Sequence, residues 1–225
     1  MNIAIINGSP QKGGFTTQAL SLAESRLIEK GASTQTIKLI DSNIQDCIGC
    51  FNCLRTGKCV IEDDVERLIA VMLESDGLVI GSPVRNGLIT ACLKRFIERI
   101  TYILGFTLAL ENKYTLGIAS VGIFGGKSVS RRFCGLQGIF HTHLSGFIFA
   151  SVGIPTRPQA LEQMRQRLLA GADRLVEDIK GRKERSVTSR ISCSLDRMIL
   201  KRFMFQRNPD IYHNVIQQWR LKGYM

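Results

Sequence analysis

The chain has 225 residues, of which 44% are hydrophobic and 22% are charged, and its formal net charge is +11 at pH 7. This hydrophobic fraction is ordinary for a folded core. The first apolar run meets Asn7 too early for a secretion signal, and no window of about eighteen residues is free of charged or strongly polar breaks. We therefore expect neither a signal peptide nor a membrane span, and the seven cysteines then indicate a reducing, cytoplasmic location.

Positive charge is concentrated at the end of the chain. Residues 181–225 contain ten Lys and Arg and three Asp and Glu, a net charge of +7, which leaves +4 for the first 180 residues. Such a segment permits contact with an acidic protein, nucleic acid or an anionic membrane surface, without requiring any of them. Aromatic residues are not interleaved with the basic ones and no nucleic-acid motif is visible, so nucleic acid is the least favoured partner.

Hydrophobic patterns predict five strands that alternate with helices. The predicted strands are 3–6, 34–40, 77–81, 114–121 and 147–152, and the predicted core helices are 16–29, 65–73, 90–100, 131–143 and 159–180. This alternation predicts an α/β domain over residues 1–180, a doubly wound five-stranded parallel sheet covered on both faces. A polar linker at 181–188 and helices at 189–206 and 210–221 are predicted to form a basic helical C-terminal extension, residues 181–225.

Four of the seven cysteines lie close together between the second predicted strand and the next helix. Cys47, Cys50, Cys53 and Cys59 have the spacing C-x2-C-x2-C-x5-C. Thiolates are soft ligands that suit iron–sulfur clusters and zinc, and a cubane cluster needs four of them. Structural zinc usually takes two separated cysteine pairs, whereas this loop has a triplet and a single residue. The spacing favours a [4Fe-4S] cluster, with zinc and reduced metal-free thiols left open.

The loop after the first predicted strand is small, rich in hydroxyl groups and directly followed by a helix. It spans residues 8–17, with Ser9, Thr16 and Thr17 as its hydroxyl-bearing side chains. Ligands of doubly wound sheets lie at the carboxyl ends of the strands, and a helix start attracts phosphate. The loop matches neither the Walker sequence nor G-x-G-x-x-G. By itself it is equally compatible with a phosphate site and with a plain capped turn.

Three segments together resemble the NADPH-dependent FMN reductase group of flavodoxin-like proteins, and the cysteine spacing resembles its iron–sulfur flavoprotein branch. They are Gly-Ser-Pro at 8–10, the cysteine loop at 47–59 and Gly-Ser-Pro-Val at 81–84. The resemblance covers about residues 1–180 and implies a flavodoxin-like fold, an FMN and a [4Fe-4S] cluster. It also implies a homo-oligomer, a dimer or tetramer. The sequence does not name the electron donor, and NAD(P)H and a ferredoxin-like carrier are both left open.

Carried over by position, the resemblance implies a set of cofactor-binding residues. Ser9, Gln11, Phe15, Thr16 and Thr17 would hold the phosphate and ribityl end of FMN; Ser82, Pro83, Val84, Arg85, Asn86 and Gly87 would border the ring; Ser120, Val121, Gly122 and Gly125 would form the third wall. Cys47, Cys50, Cys53 and Cys59 would ligate the cluster. The chain departs from the family at Phe15, where Asn is common, and at Arg85, where an aromatic residue is usual.

The residues leave three functions open. The first is an FMN-dependent oxidoreductase that transfers electrons through a flavin and a cluster. The second is a cluster-free NAD(P)H-dependent FMN or quinone reductase, and the third is a non-enzymatic basic metal-binding module. We assign no catalytic residue and no function to Cys193, and we expect His141 and His143 to lie on different faces of a helix rather than share a metal. Trp219 is expected to be a packing anchor.

Overall fold

The structure, a computed structural model, describes residues 1–185 and 187–225. At the centre of these residues is a parallel five-stranded sheet with the strand order β2-β1-β3-β4-β5. The strands are β1 (Asn2–Asn7), β2 (Ser33–Lys38), β3 (Gly77–Pro83), β4 (Tyr114–Val121) and β5 (His143–Ser151). This order is that of flavodoxin-like folds, in which the switch point lies between β1 and β3. The predicted fold class of the sheet is confirmed.

Helices connect and cover the strands, and eight α-helices lie in the described residues. They are α1 (Phe15–Glu29), α2 (Asn52–Thr56), α3 (Val65–Glu74), α4 (Ala91–Ile100), α5 (Lys127–Cys134), α6 (Ala160–Lys180), α7 (Val187–Ile199) and α8 (His213–Leu221). Short 3-10 or π turns lie at Leu39–Asp41, Thr101–Gly105 and Leu200–Phe205. Apolar residues of α1 and α6 form one core layer, and those of α3 and α4 form the layer on the other face of the sheet. Both faces are therefore covered, as apolar central strands require.

The predicted helix at 131–143 is wrong. The helix α5 ends at Cys134, and residues 135–142 form turns that lead into β5. Leu136, Gly138 and His141 have positive φ values of 45°, 76° and 51°, a conformation that a right-handed helix cannot contain. β5 then begins at His143, opposite Tyr114 of β4, four residues before the predicted strand.

Other predicted boundaries differ by a few residues. β2 ends at Lys38 because Leu39–Asp41 forms a 3-10 turn. The predicted helix 189–206 is α7, which begins at Val187 and widens into a π turn at Leu200–Phe205. The predicted linker 181–188 therefore ends early, and one of its residues, Ser186, lies outside the described residues.

The end of the chain has one packed part and one exposed part. Leu200, Phe205, Tyr212, Val215 and Trp219 join Leu54, Phe106 and Leu108 in a buried cluster. The Trp219 indole Nε1 donates to the Phe106 carbonyl at 2.7 Å, so the predicted packing role of Trp219 is confirmed.

The apolar stripe of α7 is exposed to solvent. It consists of Ile191, Leu195, Met198 and Ile199. The division of the chain at residue 180 stays a prediction.

Across the two described stretches of the chain, no helix has both the length and the apolar character that a bilayer crossing would need.

Candidate functional site

A cleft of about 500 Å³ lies at the carboxyl ends of the strands. Loops that follow β1, β3, β4 and β5 line it. Ten of the predicted cofactor-binding residues belong to its lining: Ser9, Gln11, Phe15, Thr16, Pro83, Val84, Arg85, Ser120, Val121 and Gly122. The three segments predicted to hold one ligand thus meet at one edge of the sheet, where doubly wound folds bind their ligands.

Hydrogen bonds between its own polar groups and those of Asn7 stabilise the first loop. The Ser9 amide donates to Asn7 Oδ1 at 2.9 Å, and the Thr17 hydroxyl donates to the Gln11 carbonyl at 2.8 Å. α1 begins within this segment at Phe15, with Gly14 as an N-cap that makes no side-chain cap bond and with no acidic residue in the first turn. The amides at the start of α1 therefore face the loop without a competing carboxylate, an arrangement suited to an anion.

Gly8 is required by close packing between two loops. Its amide donates to the Gly81 carbonyl at 2.8 Å, and a Cβ at this position would lie 2.9 Å from both the Gly81 oxygen and Leu93 Cβ. The Thr90 hydroxyl, which caps α4, donates to the Gly8 carbonyl at 2.6 Å. The loops after β1 and β3 are thereby held against each other.

Thr16 and Ser120 join opposite walls of the cleft. Their hydroxyl oxygens are 2.8 Å apart and both residues are buried. Phe15 beside them packs into the core layer of α1 and also lines the cleft. These side chains shape the base of the cleft rather than project into its opening.

The loop after β3 presents a cation. Arg85 and Leu88 exchange two backbone hydrogen bonds around Asn86 and Gly87, whose φ values of 50° and 76° are those of a type I′ turn. Arg85 is exposed at the rim of the cleft. The turn lifts Asn86 and Gly87 away from the lining, and Ser82 is buried beneath it, where its hydroxyl donates to the Pro83 carbonyl.

Five predicted residues are absent from the lining of the cleft: Thr17, Ser82, Asn86, Gly87 and Gly125. Conversely, Gly14 and the first part of the loop after β5 line the cleft without having been predicted, and this loop contributes Val152, Gly153, Ile154, Pro155 and Thr156. The Gly153 amide donates to the Gly122 carbonyl at 2.7 Å, so this loop closes against the loop after β4. The rule that ligands meet the carboxyl ends of strands would have found it, since a strand was predicted to end at residue 152.

The cysteine loop follows β2 and is partly open to solvent. Cys47 and Cys50 are exposed, and Cys53 and Cys59 are half-buried. Phe51, with a φ of 57°, precedes the short helix α2, which carries Cys53. The two ends of the loop are tied together, because the Asp63 and Asp64 carboxylates accept bonds from the amides of residues 45 and 43 at 2.9 and 2.7 Å.

The four thiols are close enough to affect one another electrostatically. Burial, reinforced by the neighbouring charges of Cys59, Cys47 and Cys50, raises the pKa of the Cys53 thiol to about 11. Within residues 1–185 and 187–225, no three His, Cys, Asp or Glu side chains are already gathered as a metal site, so the ligation predicted for Cys47, Cys50, Cys53 and Cys59 stays a prediction. The donor set fits a thiophilic metal centre, because a cationic centre would relieve the mutual repulsion of the thiolates.

A buried ion pair lies next to the cysteine loop. Arg99 of α4 contacts Asp63 at 2.5 Å, and their side chains are 1% and 0% exposed. Arg99 also donates to Cys59 Sγ at 3.4 Å. Burial alone would raise the pKa of Asp63, but the bonds from Arg99 and from two backbone amides outweigh it and hold that pKa below its usual value. Arg99 therefore fixes one cysteine sulfur relative to the core, a contact that the sequence did not reveal.

Comparisons with known proteins agree with the fold. Residues 1–145 match the family model described as NADPH-dependent FMN reductase. An iron–sulfur flavoprotein of Methanocaldococcus jannaschii is 40% identical over 99 residues, 44% of this chain and 51% of that protein. Another, of Clostridioides difficile, is 37% identical over 103 residues, 44% of this chain and 45% of that protein.

The solved structure of RosB has the same fold, with a TM-score of 0.63 and 14% identity over 87% of this chain and 86% of that one. The chain spans about half the length of the curated relatives it matches. The family match, in contrast, covers well over half of the chain and contains the first three strands, the cysteine loop and β4. The chain belongs to the NADPH-dependent FMN reductase family.

Proposed function

We propose that the chain is a flavoprotein oxidoreductase that binds FMN in the carboxyl-edge cleft and transfers electrons with the help of a [4Fe-4S] cluster at the cysteine loop. The observation that supports FMN most directly is the convergence of ten predicted residues on one cleft beside the uncapped start of α1. The relatives named iron–sulfur flavoproteins support the cluster. We further propose a cytoplasmic homo-oligomer served by NAD(P)H or a ferredoxin-like carrier.

Different residues of the chain would bind different parts of FMN. The amides at the start of α1, with Ser9 and Gln11, would hold the phosphate. Pro83, Val84 and Arg85 would border the ring on one side, and residues 120–122 on the other. When bound, FMN supplies one- and two-electron chemistry. Arg85 would place a positive charge at the rim, where it favours an anionic ligand.

At the cysteine loop, Cys47, Cys50, Cys53 and Cys59 would supply the thiolates. Asp63 and Asp64 fix the two ends of the cysteine loop. Only the part of the loop between these ends would therefore have to close around the cluster. Arg99 would hold Cys59 by a hydrogen bond to its sulfur. Such bonds to ligand sulfur are one of the ways in which proteins tune cluster potentials.

A second candidate is a cluster-free FMN or quinone reductase. It is favoured by one observation, that the family model matching residues 1–145 is described as NADPH-dependent FMN reductase. In that case the cysteine loop would be a bystander, and the flavin cleft alone would carry the activity.

Replacing Cys50 with Ser separates the two candidates. We expect protein made without oxygen to contain iron and sulfide, and we expect Cys50→Ser to lower both to near background while FMN stays bound, because the loop and the cleft are separate segments. The matched control is Cys92→Ser, whose cysteine lies in α4 outside the loop and should leave the iron content unchanged. Metal and sulfide analysis with the visible spectrum gives the result. Wild-type protein with zinc, or with flavin and no iron, would refute the cluster.

Gln11→Glu tests the place of the FMN phosphate. Gln11 lines the cleft beside the start of α1, and the substitution adds a charge with little change in shape. Repulsion of about 1 kcal/mol or more at such a distance should weaken FMN binding by at least about fivefold, and less at high salt. Fluorescence titration of the apoprotein with FMN measures the change in affinity. Gln35→Glu on exposed β2 is the charge-matched control, and equal affinities for the two variants would place the phosphate elsewhere.

A further inference from the structure

A thiol and an imidazole meet at the opposite edge of the sheet from the flavin cleft. Cys193 lies in α7, and His141 lies in the turn before β5. Cys193 Sγ is 2.8 Å from His141 Nδ1, and the two residues are 4% and 7% exposed. Contrary to expectation, His141 is not on a helix, and Cys193 does have a partner. The end of the chain therefore contributes a nucleophilic atom that the core domain pairs with a base.

The other nitrogen of His141 lies near a carboxylate. Among the described residues Nε2 has no hydrogen-bond partner, and Asp196 Oδ2 lies 3.8 Å from it. With Nε2 protonated and turned to Asp196, Nδ1 is left as the acceptor that faces the thiol. A base that is oriented in this way by a third group is the usual arrangement for activating a nucleophile.

The charged groups around His141 come from three segments. Burial lowers the pKa of His141; Asp196 of α7 opposes this effect, Arg185 and Arg197 reinforce it, and Glu111 opposes it. The net direction keeps the imidazole neutral near pH 7, which is the form that can take a proton from sulfur.

The Cys193 thiol lines a polar cavity and contacts an arginine of a neighbouring cationic cleft. A cavity of about 350 Å³ is lined by Cys193, His141 and other polar residues, among them the acidic Asp196. Arg185 donates to Cys193 Sγ at 3.3 Å and also lines a second cleft of about 680 Å³. That cleft has six Lys and Arg side chains against three Asp and Glu in its lining. A small ligand with negative charge would be attracted to this cleft and to Arg185 beside the thiol.

We propose that Cys193 and His141 form a second reactive site, at which Cys193 exchanges with small anionic disulfides. The proton of Cys193 passes to His141 Nδ1, and Sγ attacks one sulfur of the disulfide. The S–S bond breaks as the new one forms, and the leaving thiolate takes the proton from His141. Cys193 becomes a mixed disulfide and the other half of the reagent is reduced to a thiol. Thiol–disulfide exchange needs a nucleophile, a base and a positive charge that stabilises the leaving thiolate. It needs no oxyanion site.

The test measures modification of Cys193 by mass spectrometry of its peptide in the full-length protein. The probe is 5,5′-dithiobis(2-nitrobenzoate), a dianionic disulfide, compared with the neutral 2,2′-dithiodipyridine. We expect His141→Asn to slow modification of Cys193 at pH 7 by at least about tenfold, since an amide cannot take the proton. Asn also tolerates the positive φ of 51° at this position. Arg185→Gln should reduce the preference for the anionic probe.

Unfolding of the His141→Asn variant cannot explain a slower modification of Cys193. A loosened structure would expose Cys193 and make its modification faster. The buried Cys134, whose pKa burial raises to about 12, is the internal reference for an unactivated thiol. The proposal is overturned if the Cys193 peptide reacts no faster than the Cys134 peptide, if His141→Asn leaves its rate unchanged, or if Arg185→Gln leaves the choice between the two probes unchanged.

Discussion

Asp63→Asn is expected to lower the free energy of unfolding by about 3 to 5 kcal/mol, because it leaves the Arg99 guanidinium buried without its counter-charge. Both side chains are essentially inaccessible to water, and an amide cannot replace the carboxylate's charge. Urea denaturation at pH 7 measures the loss. The control is Asp46→Asn, which removes the same charge from the exposed pair of Asp46 with Arg95 and should cost less than about 1 kcal/mol. Similar losses in the two variants would contradict the assigned role of Asp63.

The same pair predicts a pH dependence. Since the pKa of Asp63 is lowered on folding, its contribution to stability is complete above the ordinary Asp pKa of about 3.9 and is lost as the pH falls through the lower folded value. The stability difference between wild type and Asp63→Asn should therefore be constant at neutral pH and shrink in acid. A difference that grew with acidification would have the wrong sign for this explanation.

Trp219→Ala is expected to destabilise the protein by about 3 to 5 kcal/mol, because it empties the centre of a buried cluster and leaves the Phe106 carbonyl without its donor. The measurement is again urea denaturation. Leu195→Ala, in the same part of the chain but on the exposed stripe of α7, is the control and should change stability by less than about 0.5 kcal/mol. A small effect of Trp219→Ala would mean that residues 200–221 do not support the core.

Sequence periodicity was sufficient for the sheet, because its central strands β1, β3 and β4 are apolar on both faces and are separated by long helical patterns. The carboxyl-edge rule was sufficient for most of the cleft. It was applied to three loops and not to the fourth, after β5, so Ile154 and its neighbours were missed. The false helix at 131–143 arose because Leu136 and His141 carry no visible signal of their positive φ values.

Contacts between distant segments could not be predicted. Arg99 and Asp63 are 36 residues apart, and Cys193 and His141 are 52 apart. Each pair depends on how a helix is positioned over the sheet, which a single sequence does not specify. The exposed stripe of α7 is a further example: its spacing is that of a buried helix face, yet Ile191 and Leu195 face solvent while Leu200 and Phe205 enter the core. The proposed homo-oligomer stays a prediction.

The helix α4 touches both proposed cofactor sites. Its cap, Thr90, holds the Gly8 carbonyl of the first loop, and near its other end Arg99 holds Cys59. Ten helical residues span about 15 Å, and each added residue would rotate the remainder of the helix by about 100°. α4 would thus set the distance between the proposed flavin and cluster sites as one rigid spacer. A single insertion in α4 would turn Arg99 away from Cys59, whereas insertions in the outer loops would leave that distance intact.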